Sequence, residues 1–485
     1  MNVRAIAVYT GYILTLEGLF MIPAALIALY YSESASALAF FSTIILLLSL
    51  GLITTHFCES VHNIYAREGF VTVAIAWIAL SFFGALPFYF SGAIPRLIDC
   101  WFETVSGFTT TGATILSDVE ALPKSMLYWR SFTHWLGGMG VLVFMLAVVP
   151  LNQGSGETLH LLRAESPGPA VDKLSPTIRS TTRILYGIYI VLTAIQVILL
   201  LFGGMNLFDS VNHAFATAGT GGFSTMNKSI AAYNSAYIDI VVAVFMVLFG
   251  INFNIYYLFL LGKAGLAFKN EELRTYLGII VAAVALITMN ILPMYASFGK
   301  ALLDAFFQVA SIITTTGFAT ADFNLWPQLS RAILVGLMVV GASAGSTGGG
   351  IKVMRLLILV KSVKSELLTM AHPRAIRPPR TDGKRIEPGI IRGTYTYMTV
   401  YVLICIVSLG LLTFDKFSFE TIVTAVITCI SNVGPGLDAV GPMGNFSGFT
   451  VLSKAVLTAD MLFGRLEIFP MVMLFSIENW RRWKN

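Results

Sequence analysis

The sequence predicts an all-α, multi-pass membrane protein. Two N-terminal helices precede a unit repeated four times: a spanning helix, a half-length segment, a glycine-bearing strip and a second spanning helix. Three observations carry this. The 485 residues are 56% hydrophobic and 12% charged, with mean hydropathy +0.78, outside the range of a soluble globule. Apolar runs long enough to cross a hydrocarbon core of about 30 Å recur from end to end. Strips in one shared frame return four times: Thr109-Thr110-Thr111-Gly112, Gly219-Thr220-Gly221-Gly222, Thr314-Thr315-Thr316-Gly317 and Ser431-Asn432-Val433-Gly434.

Spans are expected at 5–30, 37–58, 69–92, 126–150, 181–204, 235–262, 275–297, 329–371, 394–414 and 449–479. The first is followed at once by another and lacks a clear small-residue cleavage site, so it reads as a retained anchor. Ten crossings put both termini on one side. The units divide as 1–66 for the N-terminal helices, then 67–160, 161–270, 271–385 and 386–485 for the repeats. The half-length segments, 97–108, 208–218, 303–313 and 418–430, reach only on the order of 16–20 Å as helices, partway across. Asp99, Asp209 and Asp304 each lie thirteen residues before Gly112, Gly222 and Gly317, while Glu420 lies fourteen before Gly434. An acid opening a helix caps free N–H groups and suits the dipole, so these four are expected to cap. The helix C-termini would then aim partial negative charge at a central cavity.

Basic residues orient the chain. Lys361, Lys364, Arg374, Arg377, Arg380, Lys384, Arg385 and Arg392 crowd one loop; Arg163, Lys173, Arg179 and Arg183 lie in 152–183, and Arg481, Arg482 and Lys484 in the tail. The positive-inside bias places these loops and both termini in the cytoplasm and the strips outside. That basic face accounts for the net charge of +5 without a nucleic-acid partner. Cys58, Cys100, Cys405 and Cys429 have no paired spacing and read as buried apolar residues. His56, His62, His134, His160, His213 and His372 are scattered, and no HExxH occurs, which argues against an enzyme.

Four glycine strips in one chain can close a ring of backbone carbonyls around a dehydrated ion. Non-helical backbone at membrane depth survives only where it lines water or is buried in protein. The candidate ion ligands are therefore Thr110, Thr111, Gly112, Thr220, Gly221, Gly222, Thr315, Thr316, Gly317, Asn432, Val433 and Gly434. No strip contains a charged side chain, which suits a weakly hydrated monovalent cation better than calcium or magnesium. Ordinary glycine–threonine turns are the alternative, and four in register speak against it.

A second feature is the run from Gly341 to Gly350 inside the eighth span. Each glycine there costs a helix about 1 kcal/mol relative to alanine, so the helix should unwind into a flexible loop below the strips. Gly345, Gly348, Gly349 and Gly350 are the candidate gate. Close packing of small residues is the competing reading. A phosphate-binding loop fits poorly, because the glycine before Lys352 and the Ser or Thr after it are missing. Arg465 lies deep in the last span, where arginine costs about 2.5–3.5 kcal/mol on insertion scales, so it must face protein or water. Three roles stand open: projecting into the pathway, bonding the glycine loop, or pairing with Asp460 or Glu467 at a dimer interface. Lys352 and Arg355 read as anchors at the cytoplasmic end. The outer acids Asp118, Glu120, Asp322 and Asp438 either draw cations inward or are solvated loop charges.

The segments Ser106-Gly-Phe-Thr-Thr-Thr-Gly-Ala-Thr114 and Ala216-Thr-Ala-Gly-Thr-Gly-Gly-Phe-Ser-Thr225 resemble the Trk, Ktr and HKT superfamily of potassium transporters, and its TrkH branch closely. The two extra N-terminal helices match that branch. The resemblance implies four fused helix–pore loop–helix repeats around one central, K+-channel-like pore in a bacterial cytoplasmic (inner) membrane. It implies K+ as the permeant ion, no organic cofactor, a homodimer in membrane lipid, and filter glycines at Gly112, Gly222, Gly317 and Gly434. It also implies a gating loop in the third repeat and a barrier arginine at Arg465. Plant relatives with serine at the first glycine pass sodium, so Gly112 favours potassium. Family members work with a separate cytosolic nucleotide-binding regulatory subunit of the TrkA type, for which loops 361–392 and 152–183 are candidate docking sites. Two alternatives remain. One is a sodium- or proton-coupled secondary transporter with the broken helix holding solute; four strips rather than two broken helices oppose it. The other is a poorly selective Na+/K+ pore, which the divergent fourth strip with Pro435 keeps open.

Overall fold

The computed structural model describes residues 3–57, 66–140, 178–372 and 378–476. Val3–Phe20 runs on through Ile22–Tyr30, with Pro23 in the first turn of the second piece, and packs on Ser34–Phe57. Small residues bring these helices close: a Cβ at Gly11 would strike Thr54 Oγ1, and one at Gly51 would strike Thr15 Oγ1.

Each repeat then supplies three helices. The first helices are Ala66–Gly84, Ile178–Phe202, Glu271–Ile291 and Pro388–Leu412. The short helices are Leu97–Phe108, Leu207–Ala218, Phe298–Ile313 and Phe419–Ile430. The second helices are Lys124–Gly138, Ala236–Phe249, Gln328–Val340 and Val451–Arg465. The second helix of each repeat packs on the short helix of the next, and that of the fourth packs on the short helix of the first. The repeats therefore close into a ring.

Six expected spans are continuous helices: Val3–Tyr30, Ser34–His56, Glu68–Phe90, Thr182–Phe202, Glu271–Met294 and Pro388–Leu412. The other four are not. The span expected at 126–150 leaves the helix after Gly138, with Gly140 at φ +78°, and its remainder lies outside the described residues. The one at 235–262 bends by 91° between Phe249 and Phe253. The one at 329–371 stops at Val340 and resumes at Val353, and the one at 449–479 stops at Arg465 and resumes at Phe469–Phe475. Hydropathy measures composition, whereas the breaks depend on who takes the freed backbone groups. Here two broken helices serve each other: Ser343 N–H donates to Gly250 O (3.1 Å), Thr347 Oγ1 to Phe249 O (3.2 Å), and Phe253 N–H to Gly345 O (3.0 Å).

The four acids are not the helix caps. Asn206, Ser297 and Ser418 cap the second, third and fourth short helices, and Arg96 at the first makes no side-chain cap bond. Two of the aspartates brace the segment that follows their strip, and the third reaches the second helix of the fourth repeat. Asp209 accepts from Thr225 Oγ1 (2.7 Å), Asp304 from Thr320 Oγ1 (3.3 Å), and Asp99 pairs with Lys454 (2.6 Å). In the fourth repeat the polarity reverses. Thr421, thirteen residues before Gly434, donates to Asp438 (2.7 Å), and Glu420 pairs instead with Arg331. A hairpin of Arg380–Thr381 and Lys384–Arg385 interrupts the basic loop, and Asp382 in its turn accepts from Glu271 N–H (2.8 Å).

Candidate functional site

All four strips have the same backbone. The residue two before the strip glycine is left-handed in each: Thr110 (φ +54°), Thr220 (+53°), Thr315 (+58°) and Asn432 (+55°). The glycine itself is left-handed too, with Gly112 at +80°, Gly222 at +78°, Gly317 at +85° and Gly434 at +99°. The residue between is not. A left-handed L-residue costs about 1–2 kcal/mol, so four threonine or asparagine residues held there mark an imposed geometry. One bond imposes it in every repeat. Thr111 N–H donates to Ser106 O (2.9 Å), Gly221 to Ala216 (2.8 Å), Thr316 to Ser311 (2.8 Å) and Val433 to Thr428 (2.9 Å). Alternating residues of positive and negative φ gather successive backbone dipoles on one concave face.

The strips also form a closed cycle. A Cβ at Gly112 would strike Gly221 O, one at Gly222 would strike Thr316 O, one at Gly317 Val433 O, and one at Gly434 Thr111 O. Each glycine thus abuts the carbonyl just before the next repeat's glycine, and the fourth returns to the first. A side chain at any of these four places would force the neighbouring backbone to shift. All four line a single cavity of about 200 Å³, half open to solvent and lined also by Val440–Phe446 of the fourth repeat. Among the described residues no group of three or more His, Cys, Asp or Glu could hold a metal ion.

The glycine loop lies against the opposite end of the strips. Gly349 N–H donates to Thr315 Oγ1 (2.6 Å), and a Cβ at Gly348 or Gly349 would press on Thr314 O or Ser431 O. Gly341, Gly345 and Gly350 are left-handed, at φ +70°, +67° and +73°, which is why the run cannot continue as helix. Ala344 N–H is held by the buried Glu272 (2.7 Å). Arg465 spans loop and ring: its guanidinium donates to Thr347 O (2.9 Å), Thr110 Oγ1 (3.1 Å), Gly138 O (2.9 Å) and Gly137 O. It bonds the loop rather than Asp460 or Glu467. Asp460 accepts from Ser408 (2.8 Å), and Glu467 pairs with Arg355. Lys352 and Arg355 are buried, not anchors at a membrane surface. Lys352 donates to Gly348 O, and Arg355 stacks 3.9 Å from the Tyr397 ring centroid.

Histidines passed over as scattered back the second strip. His134 Nδ1 meets Gly107 O (2.8 Å), so its Nε2 accepts from Phe223 N–H (3.2 Å) in the neighbouring repeat. Cβ atoms at Gly219 and Gly221 would collide with His134, which explains why this strip carries glycine where the first and third strips carry threonine. His213 Nδ1 meets Asp209 O (2.8 Å), and its Nε2 meets Ser224 Oγ (2.9 Å). His213 sits nine residues before Gly222, and Glu103 nine before Gly112; that shared register was the signal available in the sequence. Of the outer acids, Asp118 and Asp438 are tied down. Asn227 bonds the Asp118 carboxyl, while Ser418 and Thr421 bond that of Asp438, and both are held below the usual carboxylate range.

A protein-family model described as TrkH, a cation transport protein, matches residues 36–482. The chain belongs to the TrkH family. It is 35% identical to the Trk system potassium uptake protein TrkH of Escherichia coli (strain K12), over 99% of this chain and 100% of the relative. It is 33% identical to the Trk system potassium uptake protein TrkG of the same strain, over 99% of each. The crystal structure of the potassium transporter TrkH from Vibrio parahaemolyticus superposes with a TM-score of 0.88 at 31% identity, covering 99% of this chain and 100% of that one.

Proposed function

We propose that this family member takes up potassium through the centre of the ring, down the electrochemical gradient, across a bacterial cytoplasmic membrane with both termini inside. The closed cycle of four glycines against four carbonyls carries the reading. Carbonyls of Thr110, Thr111, Thr220, Gly221, Thr315, Thr316, Asn432 and Val433, with those of the four glycines, replace the hydration shell of a dehydrated K+. Neutral dipoles suit such an ion, and the short helices end at the strips with the negative ends of their dipoles toward it. The loop at Gly345–Gly350 is the gate, held shut by Thr315, Glu272 and Arg465, whose charge also opposes cations below the filter. A homodimer with one pore per protomer and a cytosolic nucleotide-binding subunit of the TrkA type complete the assembly; the basic loop 361–392 offers that subunit a docking face.

Flux from proteoliposomes tests this. A potassium gradient should drive rapid Rb+ uptake, with Na+ uptake slower by about tenfold or more. Equal Na+ flux would leave a cation pore without potassium selectivity. Flux requiring a proton or sodium gradient would favour the coupled transporter.

A further inference from the structure

The four strips are propped from behind by a side chain nine or ten residues before the strip glycine, with different chemistry in each repeat. In the first, Glu103 accepts from Ile115 N–H (3.0 Å), three residues past Gly112. In the third, assigning the Gln308 amide oxygen to the side that faces two backbone N–H groups lets it accept from Thr320 N–H (2.9 Å), three past Gly317. In the fourth, Thr424 Oγ1 takes Leu437 N–H (3.0 Å), three past Gly434. In the second, His213 meets Ser224 Oγ, two past Gly222. Three props are neutral and only Glu103 carries charge.

That charge requires a partner, and Arg130 from the second helix of the first repeat supplies it. Arg130 Nε lies 2.9 Å and an Nη 2.8 Å from Glu103 Oε1, with the side chains 3% and 0% exposed. Thr114 Oγ1 also bonds both carboxylate oxygens (3.0 and 3.1 Å). A buried ion pair sacrifices several kcal/mol of hydration per ion, and Gln308 shows that a neutral prop suffices for one strip. The added cost must serve something a neutral prop does not do. Arg130 crosses to the second strip: its guanidinium lies 4.0 Å from the Phe223 ring centroid and donates to Ser224 O (3.4 Å). It also lines the outer cavity.

We propose that Glu103 and Arg130 are positioning residues for ion discrimination, a charged tie that fixes the distance between the first and second strips. This rests on the potassium reading above. The decisive variant is Glu103→Gln with Arg130→Met, which copies the third repeat's neutral prop and removes the tie without orphaning a charge. Its melting temperature should stay near wild type, while its Rb+/Na+ uptake ratio in proteoliposomes should fall by about tenfold. A folded double variant with the wild-type ratio overturns the tie, because a purely structural pair would then be fully replaced. Should the double variant not fold, Arg130→Lys carries the same test. It keeps the charge but loses the flat stack on Phe223, so a reduced ratio supports the tie and an unchanged one overturns it. Wild-type vesicles run alongside separate the claims. Absent potassium preference in wild type overturns the functional reading and the tie with it; intact wild-type preference with unchanged variants overturns the tie alone.

Discussion

Gly112→Ser should cost this protein its discrimination between potassium and sodium. The site has φ +80°, so any L-residue there loses about 1–2 kcal/mol. The new Cβ would also overlap the carbonyl of Gly221, which is backbone and cannot rotate aside. If the strip shifts to let that carbonyl retreat, the buried bond from Gly221 N–H to Ala216 O (2.8 Å) is strained, adding up to about 1–3 kcal/mol. The strain at one quarter of the ring is roughly 2–5 kcal/mol. If only about 1.4 kcal/mol of this appears as lost preference, the Rb+/Na+ ratio falls by about tenfold. Gly204→Ser supplies the control, since Gly204 has φ +84° with nothing within 4 Å of its would-be Cβ. It incurs the backbone cost without the clash, so it should lower the melting temperature and leave the ratio alone. Both variants are assayed for Rb+ and Na+ uptake in proteoliposomes and for melting in detergent. A wild-type ratio in Gly112→Ser, or equal changes in both variants, would refute the ring argument.

Three further outcomes are expected. Thr315→Val removes the acceptor of Gly349 N–H and leaves a buried donor unpaired at about 1–3 kcal/mol, so the loop should loosen and Rb+ uptake rise several-fold; an unchanged rate sinks the latch. Arg465→Gln gives up the bonds to Thr110, Thr347 and Gly138 and the charge below the ring, and uptake should rise likewise; a fall would mean that Arg465 supports the open state. The Asp438 carboxyl is held below its usual range by Ser418 and Thr421, so its contribution is present above the unfolded carboxylate range and lost only as pH falls through the folded value. The melting difference between wild type and Asp438→Asn should be constant from about pH 5.5 to 8 and shrink below about pH 4; a difference that vanishes between pH 8 and 6 contradicts the brace.

The strips, the N-terminal pair and the broken third-repeat helix were legible because each is written locally. A glycine in a fixed frame, an apolar run of sufficient length and ten consecutive small residues all announce themselves without a fold. The braces were half legible. Asp99, Asp209 and Asp304 stood in register, but their distance from the helix starts was read as capping. Nothing local reveals that Thr225 and Thr320 return to meet Asp209 and Asp304. The breaks after Gly138, Phe249 and Arg465 were hidden for a related reason. Their apolar composition suits a continuous helix; the carbonyls of Gly138 and Gly250 are taken by Arg465 and Ser343 of other repeats, while the break after Arg465 closes locally through Ile468 N–H to Phe463 O (2.8 Å).

By itself, then, the sequence determined the class of the molecule, its fourfold plan and the glycines at the centre, since hydropathy and backbone freedom belong to residues one at a time. Tertiary structure decided that the four strips close on one another, that Arg465 holds the glycine loop to the ring, and that Glu103 and Arg130 tie two strips. Those are contacts between residues up to several hundred positions apart. Their energies come from carbonyls and charges that must be paired once buried, and only the folded chain says with what.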